Sequence, residues 1–147
     1  MAAALSSLTQ YGNSFQTKVL SCLLTDKAFL QNMSDSVTEE YFENQGQKWI
    51  INEILKYYDK YHTTPSLEVL KVELKKLNNE VLQLSIKEQL KEAYKASEED
   101  LRYVEEEFSS FCKNQQLKGA LLQSVDLLQS GMYDDIRTIV DNALKTI

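Results

Sequence analysis

The chain has 147 residues, of which 43% are hydrophobic and 26% charged, and its formal net charge is −6 at pH 7. This length fits one domain, and four glycines with one proline argue against a loop-rich or disordered chain. No apolar run approaches the ~18 residues that a membrane span needs, and Met1–Leu5 lacks the basic region of a secretory signal. An acidic chain with only two arginines is not expected to grip nucleic acid tightly by itself, and we expect a cytoplasmic protein.

The first segments show apolar residues at helical spacing. A helix is predicted from Asn13 or Ser14 to Leu24, with a stop after it. Asp26 is expected to cap a short second helix, because its side-chain oxygen can accept from the next free backbone N–H groups. This second helix should end by Met33.

A capping box and an aromatic pair come next. Ser36 with Glu39 three residues later predicts the start of a turn or two of helix. That turn would bring Tyr41 and Phe42 inward, and Asn44–Gly46 should end it.

A strongly amphipathic helix is predicted over 47–61. Trp49 and Ile54 lie on its wide apolar and aromatic face. Such aromatic residues can stack on bases, but no arginines are interleaved with them here. Core packing is therefore the favoured interpretation.

The only proline marks the next boundary. Pro65 is favoured at the first position of a helix, so Thr64 is predicted to cap a helix from Pro65 to about Leu77. Leu67 is expected to be buried by this helix. A further helix is predicted over 80–94, and no segment alternates as a strand would, so the fold class is all-α.

The C-terminal part is predicted to be a pair of helices. A long helix from Glu98 to Gln129, capped by Ser97, would be close to 50 Å long at ~1.5 Å per residue. Ser130-Gly131 should break it, and a shorter helix should run from Asp134 to Lys145. This divides the chain into a bundle over 1–96 and a helical hairpin over 97–147. Surplus apolar residues lie on the hairpin, namely Leu117, Leu121, Val125, Leu128, Ile136, Ile139, Val140 and Leu144.

Sequence motifs for catalysis are missing. The 147 residues contain no glycine-rich phosphate loop, no HExxH and no CxxC. His62 is the one histidine, and Cys22 with Cys112 fit ordinary buried thiols. We therefore expect no catalytic residue, no cofactor and no metal site in this chain.

Several segments in a fixed order carry a resemblance to a known family. They are Lys18–Asp26, Glu40–Glu43, Lys48–Ile51 with Ile54, Asp59–Leu67 and Leu70–Leu74. Together they resemble the N-terminal domain of DnaB-type replicative DNA helicases, in the form found in the tailed-phage branch. The positions that carry the pattern best are Tyr41, Phe42, Trp49, Ile54, Pro65 and Leu67.

The resemblance implies an architecture and a role. It implies a compact orthogonal helical bundle followed by a protruding antiparallel hairpin. Such domains form a collar on the hexameric helicase ring, commonly as a trimer of dimers through their hairpins, and help to engage primase. The surplus apolar residues of the hairpin then become the predicted self-association surface, and a helicase loader is a further candidate partner. The parent protein would be an ATP-dependent DNA helicase of a bacterium or a phage-infected cell, with its motor domain outside these residues.

Three other hypotheses stay open. A standalone helical adaptor or regulator would differ only in the absence of a motor domain downstream of Ile147. An enzyme with its active site in a helical bundle would need convergent His, Cys or carboxylate groups, which the sequence does not indicate. A local lysine face around Lys71, Lys75 and Lys76 could bind single-stranded DNA weakly, although a solvated helix face is the commoner meaning of such lysines.

Overall fold

The computed structural model describes residues 8–96 and 100–145, with the backbone only for Thr9, and every regular element in these ranges is helical. The α-helices are α1 (Asn13–Thr25), α2 (Lys27–Met33), α3 (Gln45–Tyr61), α4 (Leu67–Lys75), α5 (Glu80–Lys95), α6 (Leu101–Gln129) and α7 (Tyr133–Lys145). Short 3-10 turns cover Leu8–Tyr11 and Glu39–Tyr41. The prediction of an all-α fold is confirmed for the described residues.

Side-chain caps fix the starts of several helices. The capping oxygens belong to Asp26, Asn44, Ser66 and Asn79, each of which accepts from the backbone N–H three residues later at 3.0 to 3.3 Å. These bonds satisfy donors that the first turn of a helix leaves free. The predicted cap at Asp26 is confirmed, and α1 and α2 have nearly the predicted bounds.

Two predicted caps are wrong. The cap of the 3-10 turn is Thr38, not Ser36, because the N–H of Ser36 bonds to the carbonyl of Met33 at 2.9 Å and closes the end of α2. The cap of α4 is Ser66, not Thr64. Pro65 therefore precedes the cap and is buried, and the helix starts two residues later than predicted.

The start of α3 also differs from the prediction. The helix begins at Gln45, so Gly46 lies inside it instead of breaking the chain. A Cβ at Gly46 would lie 2.7 Å from Oγ of Ser85 on α5. Glycine thus permits close contact between α3 and α5, and the side-chain amide of Gln47 extends the contact by donating to Gln89 at 3.1 Å.

The core is organised around α1, which contacts α2, α3, α5 and α6. The largest fully buried side chains of the described residues are Leu8, Val19, Leu20, Leu23, Leu30, Phe42, Ile50, Ile51, Ile54, Leu70, Ile86 and Phe108. Phe108 of α6 lies near Phe29 and Phe42, with ring centroids 6.3 and 6.4 Å apart. Tyr41 meets Phe111 edge to face at 5.1 Å. The predicted inward position of the Tyr41–Phe42 pair is confirmed.

The long C-terminal helix α6 begins later than predicted. Asp100 has a φ of 65°, a left-handed conformation that cannot continue a right-handed helix. The helix therefore begins at Leu101, not at Glu98. The predicted cap at Ser97, and with it the boundary between 96 and 97, falls outside the described residues.

Candidate self-association surface

The two halves of α6 have different surroundings. The helix has 29 residues and is about 44 Å long at ~1.5 Å per residue. Its first half has large buried side chains, namely Val104, Phe108, Phe111, Cys112 and Gln115. In the second half the buried residues are the small Ala120 and Ser124. The second half therefore buries fewer and smaller side chains than the first.

A tight turn joins α6 to α7. Gly131 has a φ of 71°, and its N–H donates to the carbonyl of Leu128 at 3.1 Å. The N–H of Met132 donates to the carbonyl of Leu127 at 2.9 Å. These two bonds form a Schellman motif, in which a left-handed glycine ends the helix. The predicted break at Ser130-Gly131 is confirmed.

The helix α7 packs on α6. Its apolar residues Ile136, Ile139 and Val140 are half-buried, and none of its described residues is fully buried. The hydroxyl of Ser124 donates to the carbonyl of Ala120 at 2.7 Å, so this buried polar group is satisfied.

One face of the second half of α6 carries exposed apolar side chains. Leu121 is 53% exposed, Val125 43% and Leu128 59%. Their spacing of four and three residues places them on one side of the helix, and we call these three residues the α6 stripe. Leu144 of α7 is also exposed, whereas Leu117 is half-buried.

The eight predicted surface residues thus divide into two sets. Leu121, Val125, Leu128 and Leu144 are exposed, whereas Leu117, Ile136, Ile139 and Val140 are half-buried. The predicted surface omitted two exposed apolar residues at the turn, Met132 and Tyr133. Both directly follow Gly131, so the predicted break at Ser130-Gly131 was the signal that could have drawn attention to them.

The charges around this surface nearly balance. Between 117 and 145 the chain carries three cationic residues, Lys118, Arg137 and Lys145, and four acidic ones, Asp126, Asp134, Asp135 and Asp141. The net charge of this region is therefore −1, although the whole chain carries −6. Two copies that meet here would experience little mutual repulsion.

Burial shifts the pKa of several titratable groups elsewhere in the described residues, and two partly buried carboxyl groups form a hydrogen-bonded pair. Burial raises the pKa of the Cys22 thiol to about 12 and raises that of Cys112 further. Burial, aided by the neighbouring Asp26, raises the pKa of Glu105 to about 7. The hydrogen bond from Glu105 in turn lowers the pKa of Asp26. This carboxyl pair joins the cap of α2 to α6.

The described residues show neither a metal site nor a membrane span. Over 8–96 and 100–145, no group of three or more His, Cys, Asp or Glu side chains could hold a metal ion. In the same ranges no helix combines the length and the apolar character that crossing a bilayer requires. His62 is exposed and ends α3 in a left-handed conformation, with a φ of 57°.

The structure places the three lysines of the candidate DNA-binding face in different surroundings. Lys76 forms an ion pair with Glu73 at 3.0 Å. Lys71 and Lys75 instead line a groove between α4 and α5. The predicted face is therefore not one continuous lysine surface.

The residues that carry the family resemblance lie mostly in the core. Tyr41, Phe42, Ile54 and Pro65 are buried, and Trp49 is half-buried. The predicted burial of Leu67 is wrong, because this residue is 37% exposed at the start of α4. Comparisons of the chain with protein-family models, curated protein sequences and solved structures find no match.

Proposed function

We propose that the chain is the N-terminal assembly and partner-docking domain of a hexameric replicative DNA helicase. The resemblance of the segments around Tyr41, Trp49 and Pro65 supports the family, and the exposed α6 stripe supports self-association. The stripe carries the proposal, because an apolar face of this kind on a helix pair is typical of a protein–protein contact.

The proposed architecture is a helical bundle with a protruding antiparallel hairpin. The bundle would comprise α1 to α5 and the first half of α6, and the hairpin would comprise the second half of α6 with α7. The difference in burial between the two halves of α6 supports this division. In the intact helicase the hairpins would pair two copies, and three such pairs would form the collar of the ring.

A two-fold contact between hairpins has an affinity that can be estimated. Six exposed apolar side chains would be covered on each copy, namely Leu121, Val125, Leu128, Met132, Tyr133 and Leu144. Covering the exposed half of such a side chain contributes about 1 kcal/mol, or about 12 kcal/mol for both copies. Association itself costs at least ~4–5 kcal/mol. The remaining ~7 kcal/mol corresponds to a Kd on the order of 10 µM.

The role of the domain would be mechanical. It would hold the copies in register and present surfaces to primase and to a helicase loader, while ATP hydrolysis and DNA unwinding belong to a separate motor domain. Direct DNA binding by this chain would be weak, since its net charge is −6.

Two observations test the proposal. The reading frame downstream of Ile147 should encode a RecA-like ATPase with a Walker A motif, and a stop codon or an unrelated domain there would favour the standalone adaptor instead. Light scattering at tens of micromolar should give a mean mass clearly above the monomer mass of 16.9 kDa, and it should rise towards twice that mass as the concentration increases. A strict monomer at that concentration would count against the assembly role.

A further inference from the structure

A groove of about 780 Å³ lies between α4 and α5, outside the proposed self-association surface. Its floor is apolar and is formed by Leu67, Leu74, Leu90 and Tyr94. Its rim is cationic and is formed by Lys71, Lys75, Lys87, Lys91 and Lys95. In the part of the chain that the structure describes, every charged residue lining the groove is a lysine, although the whole chain is acidic.

The two walls are fixed at one end by a side-chain clamp. The amide of Gln83, in the first turns of α5, donates to the carbonyls of Leu74 and Leu77 at 3.2 and 2.6 Å. The carbonyl of Leu74 also accepts from the backbone N–H of Leu77 at 3.1 Å, so Gln83 adds a second bond there and ties the start of α5 to the turn that follows α4. The helices have few contacts beyond this clamp, so the groove stays open between them.

The lysines form an ordered rim and not a scattered surface. Lys87, Lys91 and Lys95 succeed one another at intervals of four residues, which places them along ~12 Å of one side of α5. Lys71 and Lys75 have the same spacing on α4. None of the five forms an ion pair within the described ranges. Their charges are therefore available to a ligand.

We infer that this groove is a docking site for an amphipathic α-helix of a partner protein, with acidic residues on both sides of its apolar stripe. A helix that docks here would lie along the lysine wall of α5 and above the apolar floor. Two turns span ~11 Å, which matches the length of the lysine wall on α5. The leucines of the floor would receive the apolar stripe, and the lysines would face its carboxylates.

The chemistry of the lining favours a helix over single-stranded nucleic acid. Grooves that hold single strands combine cations with several aromatic rings on which bases stack. Here the floor has three leucines and one aromatic residue, Tyr94, and no arginine lines the groove within the described residues. Aliphatic side chains are the better match for such a floor.

Fluorescence anisotropy with defined probes tests this inference. The main probe is a labelled synthetic peptide of about 14 residues with leucines at helical spacing and glutamates beside them. A peptide with the same leucines but lysines in place of the glutamates, and a labelled oligothymidine, are the comparisons. The matched variants are Lys87→Glu/Lys91→Glu in the groove and Lys27→Glu/Lys60→Glu away from it, which change the net charge equally. A third variant, Leu67→Asp, places a charge on the floor.

The acidic peptide should bind, and the lysine peptide should bind at least about tenfold more weakly. The groove double variant should lose about tenfold or more in affinity for the acidic peptide, whereas the control double variant should change it by less than about twofold. Leu67→Asp should also weaken binding.

The inference is overturned if the acidic peptide does not bind at ~1 mM, or if both double variants weaken it equally. It is also overturned if oligothymidine binds the groove more tightly than the peptide does. The site does not depend on the helicase assignment, and its variants leave the α6 stripe intact. A negative result for peptide binding would therefore not count against the proposed assembly role.

Discussion

A charge placed on the α6 stripe should dissociate the dimer. We expect Leu121→Asp and Val125→Asp to give monomers at tens of micromolar. Each replacement removes about 1 kcal/mol of apolar burial per copy and leaves a carboxylate in the contact, which costs a further ~1–3 kcal/mol. Over two copies the loss is about 4–8 kcal/mol, or at least about a thousandfold in Kd.

The chain offers matched controls for both changes. Leu84 is 66% exposed and Val81 is 80% exposed, and both lie on α5. Leu84→Asp and Val81→Asp introduce the same residue types into a helix, where the intrinsic propensity cost is at most ~0.7 kcal/mol. These controls should keep the dimer in sedimentation velocity runs, and urea unfolding should show that all four variants are folded. A contact through the α6 stripe is refuted if the stripe variants remain dimeric, or if the control variants dissociate to the same extent.

The remaining predictions concern stability. Gly119→Ala should raise the free energy of unfolding by about 1 kcal/mol, because the added methyl meets no atom within 4 Å. Gly46→Ala should instead lower it by about 1–3 kcal/mol, because its methyl would lie 2.7 Å from Oγ of Ser85, and urea midpoints of the two variants check both signs. Asp26→Ala should cost about 1 kcal/mol through loss of the cap, and an unchanged urea midpoint would contradict this. The pKa of Glu105 is about 7 in the folded chain against a usual 4.5, so its stabilising contribution is full below pH 4.5 and is lost as the pH rises through 7. Glu105→Gln should therefore flatten the loss of stability between pH 5 and 8, as measured by urea unfolding across that range, and an unchanged slope would be evidence against this assignment.

Local chemistry made part of the fold predictable. The cap at Asp26 and the turn at Gly131 each depend on one residue type with a specific backbone role, and both were identified from the sequence. The predicted cap of α4, by contrast, is wrong. The observed cap Ser66 is chemically similar to the predicted Thr64, and it comes after the buried Pro65 instead of before it.

Burial was harder to predict than helix position. Periodicity correctly placed Leu67 in a helix with a regular apolar face, but it could not show whether another element covers that face. The opening between α4 and α5 leaves Leu67 partly exposed. The α6 stripe shows the same limit, since the sequence could not separate the residues that pack α7 from those that remain exposed.

The groove between α4 and α5 could not be predicted from the sequence, although some of its residues show a regular spacing. The regular spacing of Lys87, Lys91 and Lys95 was visible within α5, yet it would fit a solvated face equally well. Their meeting with Lys71 and Lys75 depends on the clamp at Gln83, which joins two helices through backbone carbonyls. No local pattern predicts that contact.

Hydrogen–deuterium exchange of the unmodified chain at two concentrations tests the self-association surface most directly. Between about 1 and 50 µM the proposed dimer forms, given a Kd on the order of 10 µM. Amide exchange should then slow in the second half of α6 and in α7, with little change in α4 and α5. Exchange that is independent of concentration, or that slows only in the bundle, would contradict the assignment of this surface.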